Sequence, residues 1–575
     1  IILKNYNYKS LLFMLFLHHV IRCYLVVTLI YILSACTSKP AKLDPLVANT
    51  GQPLSSVAQS TDVIFYDLKL AVFPEEKQIA GTGKTVFRVV KETQQIELKL
   101  DSRFSINTVT VADKKAEFLH SHGVITINLY EKKYPGEVVE VAINYSGKPH
   151  IALNPPWSGG FVFSETNDGK PWIATAVQGE GCDLFWPCKD HFSDKADSMR
   201  IRVTVPTGLY VASNGVLKNI TVLQNKTTEF DWFLSEPASD YNIALNIGPF
   251  ERVQQQYTSI NGTDIPVEFW VLPENRQKAS NLLTNDVYQQ MAFFESVLGP
   301  YPWGQQKLGF VETPHLGMEH QTINAYGKGY TRDPSGYDWL IQHELAHEWF
   351  GNLMTHEQLN DAWLHEGFGF YMQPSYSLYT FGEAAYNHAM YKAYLGIKNC
   401  QPIVKEGELS SKEAFNSDIY GKGGWTLHTL RWLIGDELFW QATRELIYGS
   451  SDTQSLSYPI QSRYRNTQQF IDIVNRITKK DYNWLFDVYL KQAALPTLTM
   501  ERQNNVANLY WSKSEKDATP FKMPVPISIN GQLQVYIPIE GVITIKAKPV
   551  DHIIVDPQMK VLRQLPITSQ CQQDE

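Results

Sequence analysis

The feature that most constrains this chain is a change of hydrophobic period, from two to 3.6 and back to two. From about residue 61 to 255, segments such as VIFYDLKLAVF and MRIRVTVP alternate apolar and polar residues between Gly, Pro and Asn breaks. That is the pattern of half-buried strands. Near 276 the spacing turns helical, in RQKASNLLTNDVYQQMAFFESVLG, and stays so to about 493, apart from a short β stretch around 306–330. After Leu495–Pro496 alternation returns in TLTM, VPISIN and VITIKA. The expectation is a multidomain α+β chain. It has an amino-terminal β domain over 61–255, a mostly helical domain over 256–493 and a carboxyl-terminal β-sandwich over 494–575. At 575 residues the length suits several domains better than one.

Charge argues against one class of partner. The net charge of −8 and the lack of any basic block give no footprint for nucleic acid. The amino terminus is more informative. Residues 24–33, YLVVTLIYIL, follow Arg22 and precede Ser34, Ala35 and Cys36. A charged start, a short apolar run and small residues at the end describe a secretory signal over 1–35. LSAC is similar to a bacterial lipobox, whose cysteine is acylated and becomes the mature amino terminus. Initiation at Met14 would give that signal an ordinary length. An ordinary membrane anchor is the alternative, because Leu11–Leu17 is a second apolar run. The lipobox reading predicts an exported lipoprotein held at a membrane through Cys36, with Thr37 favouring the outer membrane. Residues 36–60 are polar with scattered Pro, Ser and Thr, and read as a flexible tether. Cys182 and Cys188 are candidates to bridge in an oxidising compartment, and spacing alone leaves that open.

The chemistry is concentrated in QHELAHEWFG, Gln342 to Gly351, which reads as helix. His343 and His347, four residues apart, share one helical face, with Glu344 beside the first. Two neutral imidazoles suit Zn²⁺, and a neighbouring carboxylate can take a proton from water. A catalytic site needs a third ligand and an open fourth position. DAWLHEGFGFYM supplies Glu366, 18 intervening residues after His347 and on what reads as the next helix. Each residue alone is equally a solvated polar face; the combination makes a His₂Glu site for one zinc ion per chain.

HELAHEWFGNLMT followed by DAWLHEGFGFYM resembles the aminopeptidase N family of zinc metallopeptidases, which includes leukotriene-A hydrolase. GPYPWGQQKLGFVETPHLGMEHQTINAYG (299–327) resembles the segment ending in GxMEN. FWPCKDHFSDKADSMRIRVTVP (185–206) and IYGKGGWTLHTLR (419–431) extend the likeness, which runs from about 61 to 570. It does not reach the large helical carboxyl-terminal domain of many members. The resemblance implies a β saddle, a thermolysin-like catalytic domain and a β-sandwich. It implies His343, His347 and Glu366 as zinc ligands, Glu344 as general base and Tyr420 as donor to the oxyanion. It further implies that Glu319, in Gly317–Met318–Glu319, binds the free α-amine of a peptide, with Gln178 lining the same pocket. The implied reaction is hydrolysis of the amino-terminal peptide bond.

Some positions depart from the family pattern. Leu316 replaces a Gly, His320 and His365 replace Asn, and Glu348 replaces Gln. These departures bear on the finer shape of the pocket, and His315, His320 and His365 are expected as pocket residues or as supports of the metal ligands. A zinc endopeptidase has no use for an amine-binding carboxylate, and a binding protein that had lost its chemistry would lack a ligand, Glu344 or Tyr420.

Overall fold

The computed structural model describes residues 49–453, 455–513 and 520–565. The expected signal, Cys36 and the first part of the expected tether lie outside the described residues. The amino-terminal strands build a mixed eight-stranded sheet, in which Thr61–Phe73 runs beside Gln78–Val89 antiparallel and beside Ser198–Pro206 parallel. Its alternation is visible in burial: Leu68, Leu70 and Val72 are inside while Lys69 is exposed. Smaller three- and four-stranded sheets complete this region, the latter containing Pro171–Ala176, which leads to Gln178.

The expected boundary at 255 falls inside a strand. Glu251–Thr258 pairs along its whole length with Asp264–Val271, and both belong to a five-stranded sheet with Leu308–Glu312, Asn324–Tyr326 and Gly317–Met318. Strand partnership, rather than the onset of helical spacing, sets that limit, so this sheet goes with the helices. The helical core buries Trp303, Trp349, Trp363 and Trp425 completely. Beyond it, two three-stranded sheets face each other across Leu509, Val525, Ile527, Ile543 and Ile545. This is the expected sandwich. The chain then returns to the helices, where Val561 and Leu562 are buried and Leu562 N donates to Thr429 Oγ1.

The flexible-tether expectation fails from Asn49 onward. Thr50 is buried: its N–H donates to Gly179 O, its carbonyl accepts from Ser411 N, and its hydroxyl donates to Asp190 at 2.8 Å. Asn49 Oδ1 accepts from Ser411 Oγ and Lys412 N. Polar composition reads as solvated, but here the polar groups are satisfied by protein.

Candidate active site

Four elements converge on one cavity of about 1380 Å³. Helix α1 (Trp339–Ala346) carries His343 and Glu344. Asp338 caps it, accepting from Leu340 N and Ile341 N at 3.1 Å. Regular helix stops at Ala346, earlier than QHELAHEWFG suggests, but His347 keeps helical backbone angles at the C-cap. The four-residue stacking of the imidazoles therefore survives. Helix α2 (Trp363–Phe381) carries Glu366 in its first turn, and a later helix, Asp418–Ile434, carries Tyr420. The fourth element is the edge strand Gly317–Met318, which delivers Glu319.

His343 Nε2 and His347 Nε2 are 3.3 Å apart, and Glu366 Oε2 lies 3.9 and 3.6 Å from them. Ligands at 2.0–2.1 Å around a tetrahedral zinc ion stand about 3.3 Å from one another. His347 Nδ1 lies 2.8 Å from Phe350 O, so the hydrogen sits on Nδ1 and Nε2 offers its lone pair. Burial holds the His343 imidazole well below its ordinary range, hence neutral. Two neutral lone pairs and a carboxylate facing one point make a donor set that fits zinc. Burial, and then the neighbouring Glu319 and Glu366, push Glu344 well above the carboxylate range; burial raises Glu366 to about 7. Three carboxylates gathered this closely favour a cation among them.

Glycine governs the close approaches. A Cβ on Gly317 would sit 2.4 Å from Glu344 Oε1, so only Gly leaves room for that carboxylate. A Cβ on Gly369 would meet the His347 ring at 3.0 Å. Gly367 and Gly423 face each other, a Cβ on Gly423 lying 3.2 Å from Gly367 Cα. This contact sets the helix that carries Tyr420 against the helix that carries Glu366. Burial and the three carboxylates keep the Tyr420 phenol protonated, its pKa well above ordinary. Glu319 Oε1 accepts from Gln178 Nε2 at 2.6 Å and from Tyr241 at 2.9 Å. Asn242 and Asn352 hold its backbone carbonyl. The candidates for metal, catalysis and substrate binding, namely Gln178, Gly317, Met318, Glu319, His343, Glu344, His347, Glu366 and Tyr420, all line this cavity.

The comparisons decide the family. The Peptidase family M1 domain matches residues 286–489, and the Peptidase M1 N-terminal domain matches residues 63–241. The chain belongs to peptidase family M1. Human aminopeptidase B is 27% identical over 393 residues, covering 62% of this M1 chain and 57% of that protein. Tricorn protease-interacting factor F2 of Thermoplasma acidophilum is 24% identical over 467 residues, covering 75% of this chain and 54% of the relative. The chain thus spans about half the length of such curated relatives; for rat aminopeptidase B the share is 41%. An M1 zinc metallopeptidase mutant from Deinococcus radiodurans, solved with a Tyr-Ser-Ala substrate, has the same fold. The TM-score is 0.64 at 21% identity, over 78% of this chain and 98% of that one.

Within this M1 chain, neither Glu348 nor His315, His320 and His365 line the cavity, so of the two roles expected of the histidines they do not take that of pocket lining. Burial keeps His315 and His320 neutral, with pKa values near 4 and 3. His365 stacks on His356 with ring centroids 4.1 Å apart. Glu348 faces the core and accepts from Trp303, Asn324, Asn352, Thr322 N and Tyr301. Sequence reading missed Tyr241, which shares Glu319 with Gln178. A lone tyrosine among 30 carries no local signal. Cys182 and Cys188 form a disulfide, which settles the pairing left open above.

Proposed function

We propose that the protein is a zinc-dependent aminopeptidase, releasing single residues from peptides with a free amino terminus. The observation that carries this reading is Glu319, a buried carboxylate aligned by Gln178 and Tyr241 in the same cavity as the His343, His347 and Glu366 donor set. An ammonium pairs with that oxygen pair, and an acetylated terminus leaves it unmatched. His343, His347 and Glu366 would hold the metal. Zinc, when bound, supplies Lewis acidity that polarises the carbonyl and makes water acidic at neutral pH.

The remaining work falls to this chain's own side chains. Glu344 has no hydrogen-bond or ion-pair partner among the described residues, and Gly317 leaves space beside it. It takes the proton of the attacking water and passes it to the leaving amine nitrogen. Tyr420, a protonated phenol at the metal side of the cavity, donates to the carbonyl oxygen as negative charge develops. Glu319 fixes the amine, so the first peptide bond and no later one reaches these groups. The test compares a free-amine peptide with its N-acetylated twin and measures zinc content, with Glu344→Gln as control. Equal cleavage of the two peptides would remove the aminopeptidase assignment.

The site of action is a second part of the reading. LSAC and the apolar run before it support export and a lipid anchor on Cys36. A mature mass beginning before Cys36, or lacking the lipid, would reject it.

A further inference from the structure

The cavity extends well past the metal donors. On α2 it is lined by Glu366, Phe370, Gln373, Pro374, Ser377 and Phe381, one face of the helix. At 1.5 Å per residue, that wall runs about 22 Å from Glu366 to Phe381. Gly382, with φ +83°, then turns the chain into helix α3 (Glu383–Leu395). Helix α3 comes back toward the chemistry: Ala393 O lies 3.6 Å from where a Cβ on Gly421, the neighbour of Tyr420, would sit. Ala385, Ala389 and Ala393 leave the floor open, and His388 and Lys392 stand between them on the same face.

The charges along this space are ordered. At the metal end stand Glu319, Glu344 and Glu366. Lys392 is the one lysine or arginine among the residues lining the cavity. Neither Lys392 nor His388 has a hydrogen-bond or ion-pair partner among the described residues, and both are exposed to the cavity's solvent. The other acidic lining residue, Asp333, is engaged by Ser335 and belongs to the Phe381 end, where Gly336 approaches that ring. A lysine in the last turn of a helix is favoured by the dipole wherever it faces. What distinguishes Lys392 is its place in the cavity, beside Ala393, whose carbonyl lies by Gly421.

A peptide whose amine sits on Glu319 and whose first carbonyl lies by Tyr420 must direct its remaining residues away from Glu319. Each residue advances the chain by about 3.3–3.6 Å. Within two to four residues its negative end enters the space that α3 borders. We infer that Lys392, with His388 one turn before it, binds the carboxyl terminus of short peptides, so that the site selects substrates charged at both ends. This rests on the aminopeptidase reading above.

The test uses the zinc-loaded protein and alanine peptides of two to five residues, each as free acid and as carboxyl-terminal amide. The wild type is expected to favour the acid by about tenfold in kcat/KM at one or more lengths from two to four, with the difference in KM. The preference should shrink as ionic strength rises. Lys392→Met should bring the ratio close to one, while Lys392→Arg should retain most of it. A wild-type ratio near one at every length, or a ratio that survives Lys392→Met, overturns the assignment. Absence of turnover for acids and amides alike would instead overturn the peptidase reading, and this assignment with it.

Discussion

Glu344 and Glu348 sit one helical turn apart in the same ten-residue segment, both almost wholly buried, and the structure treats them in opposite ways. Glu348 is saturated by five donors that tie the Trp303 segment, the Asn324 strand and the turn after α1 together. Glu344 faces the cavity with no donor among the described residues. Across the gap it faces Gly317, and Glu319 and Glu366 are near enough to raise its pKa. A carboxylate whose lone pairs are filled is held in one place and one charge state. One left bare is free to exchange a proton. The site therefore depends on donors withheld from one glutamate as much as on donors supplied to the other.

The contrast is sharpest in a pair of substitutions. Glu344→Gln should lower kcat by about 10³-fold or more while thermal unfolding stays in place, since no hydrogen bond is lost. A comparable fall in melting temperature would show that Glu344 is structural after all. Glu348→Ala should do the reverse, costing about 3–5 kcal/mol in chemical denaturation by stranding five buried donors. Glu348→Gln should cost less, because one oxygen still accepts. If Glu348→Ala unfolds at wild-type denaturant, the network does not hold the turn.

Tyr420→Phe removes a single donor and should lower kcat by about 10²-fold with little change in KM; steady-state kinetics on a free-amine peptide would show it. The smallest effect concerns a carboxylate intermediate between the two. Glu236 is buried with one donor, Gln306 Nε2 at 2.7 Å, and its second oxygen unpartnered. Burial raises it from 4.5 to about 7. A raised folded-state pKa means the folded protein takes up the proton first. Its contribution is thus fully present below pH 4.5 and is lost as pH rises through 7. Glu236→Gln should flatten the stability–pH curve across that window by on the order of 2 kcal/mol. An unchanged slope would mean that the second oxygen is solvated.

Much of the metal set was readable in sequence because helical geometry fixes it. Histidines at i and i+4 must share a face, and Glu366 needed only a returning helix. Glu319, Gln178 and Tyr420 were placed by resemblance, since nothing in their local spacing predicts a meeting across three elements. The glycines of HEGFGF and YGKGG were hidden for a different reason. Gly367 and Gly423 act through what they lack, and a close helix crossing leaves no periodic trace. Glu348 was misplaced because its adjacency to His347 in sequence says nothing about the face it occupies; one residue turns the side chain by about 100°. Residues 49–60 were misread because polar composition cannot tell a solvated segment from one whose partners are protein.

That last segment has a practical consequence. Thr50 joins Gly179, one residue after the glutamine that aligns Glu319, to Ser411, the first residue of the short helix Ser411–Ala414 that precedes the Tyr420 helix. The segment around Asn49 and Thr50 thus acts as a seam between the two halves of the pocket. A version trimmed back to the first long strand at Thr61 would keep every proposed metal ligand and catalytic group. It would nonetheless lose the stitch that sets how far apart the wall carrying Glu319 and the phenol of Tyr420 stand.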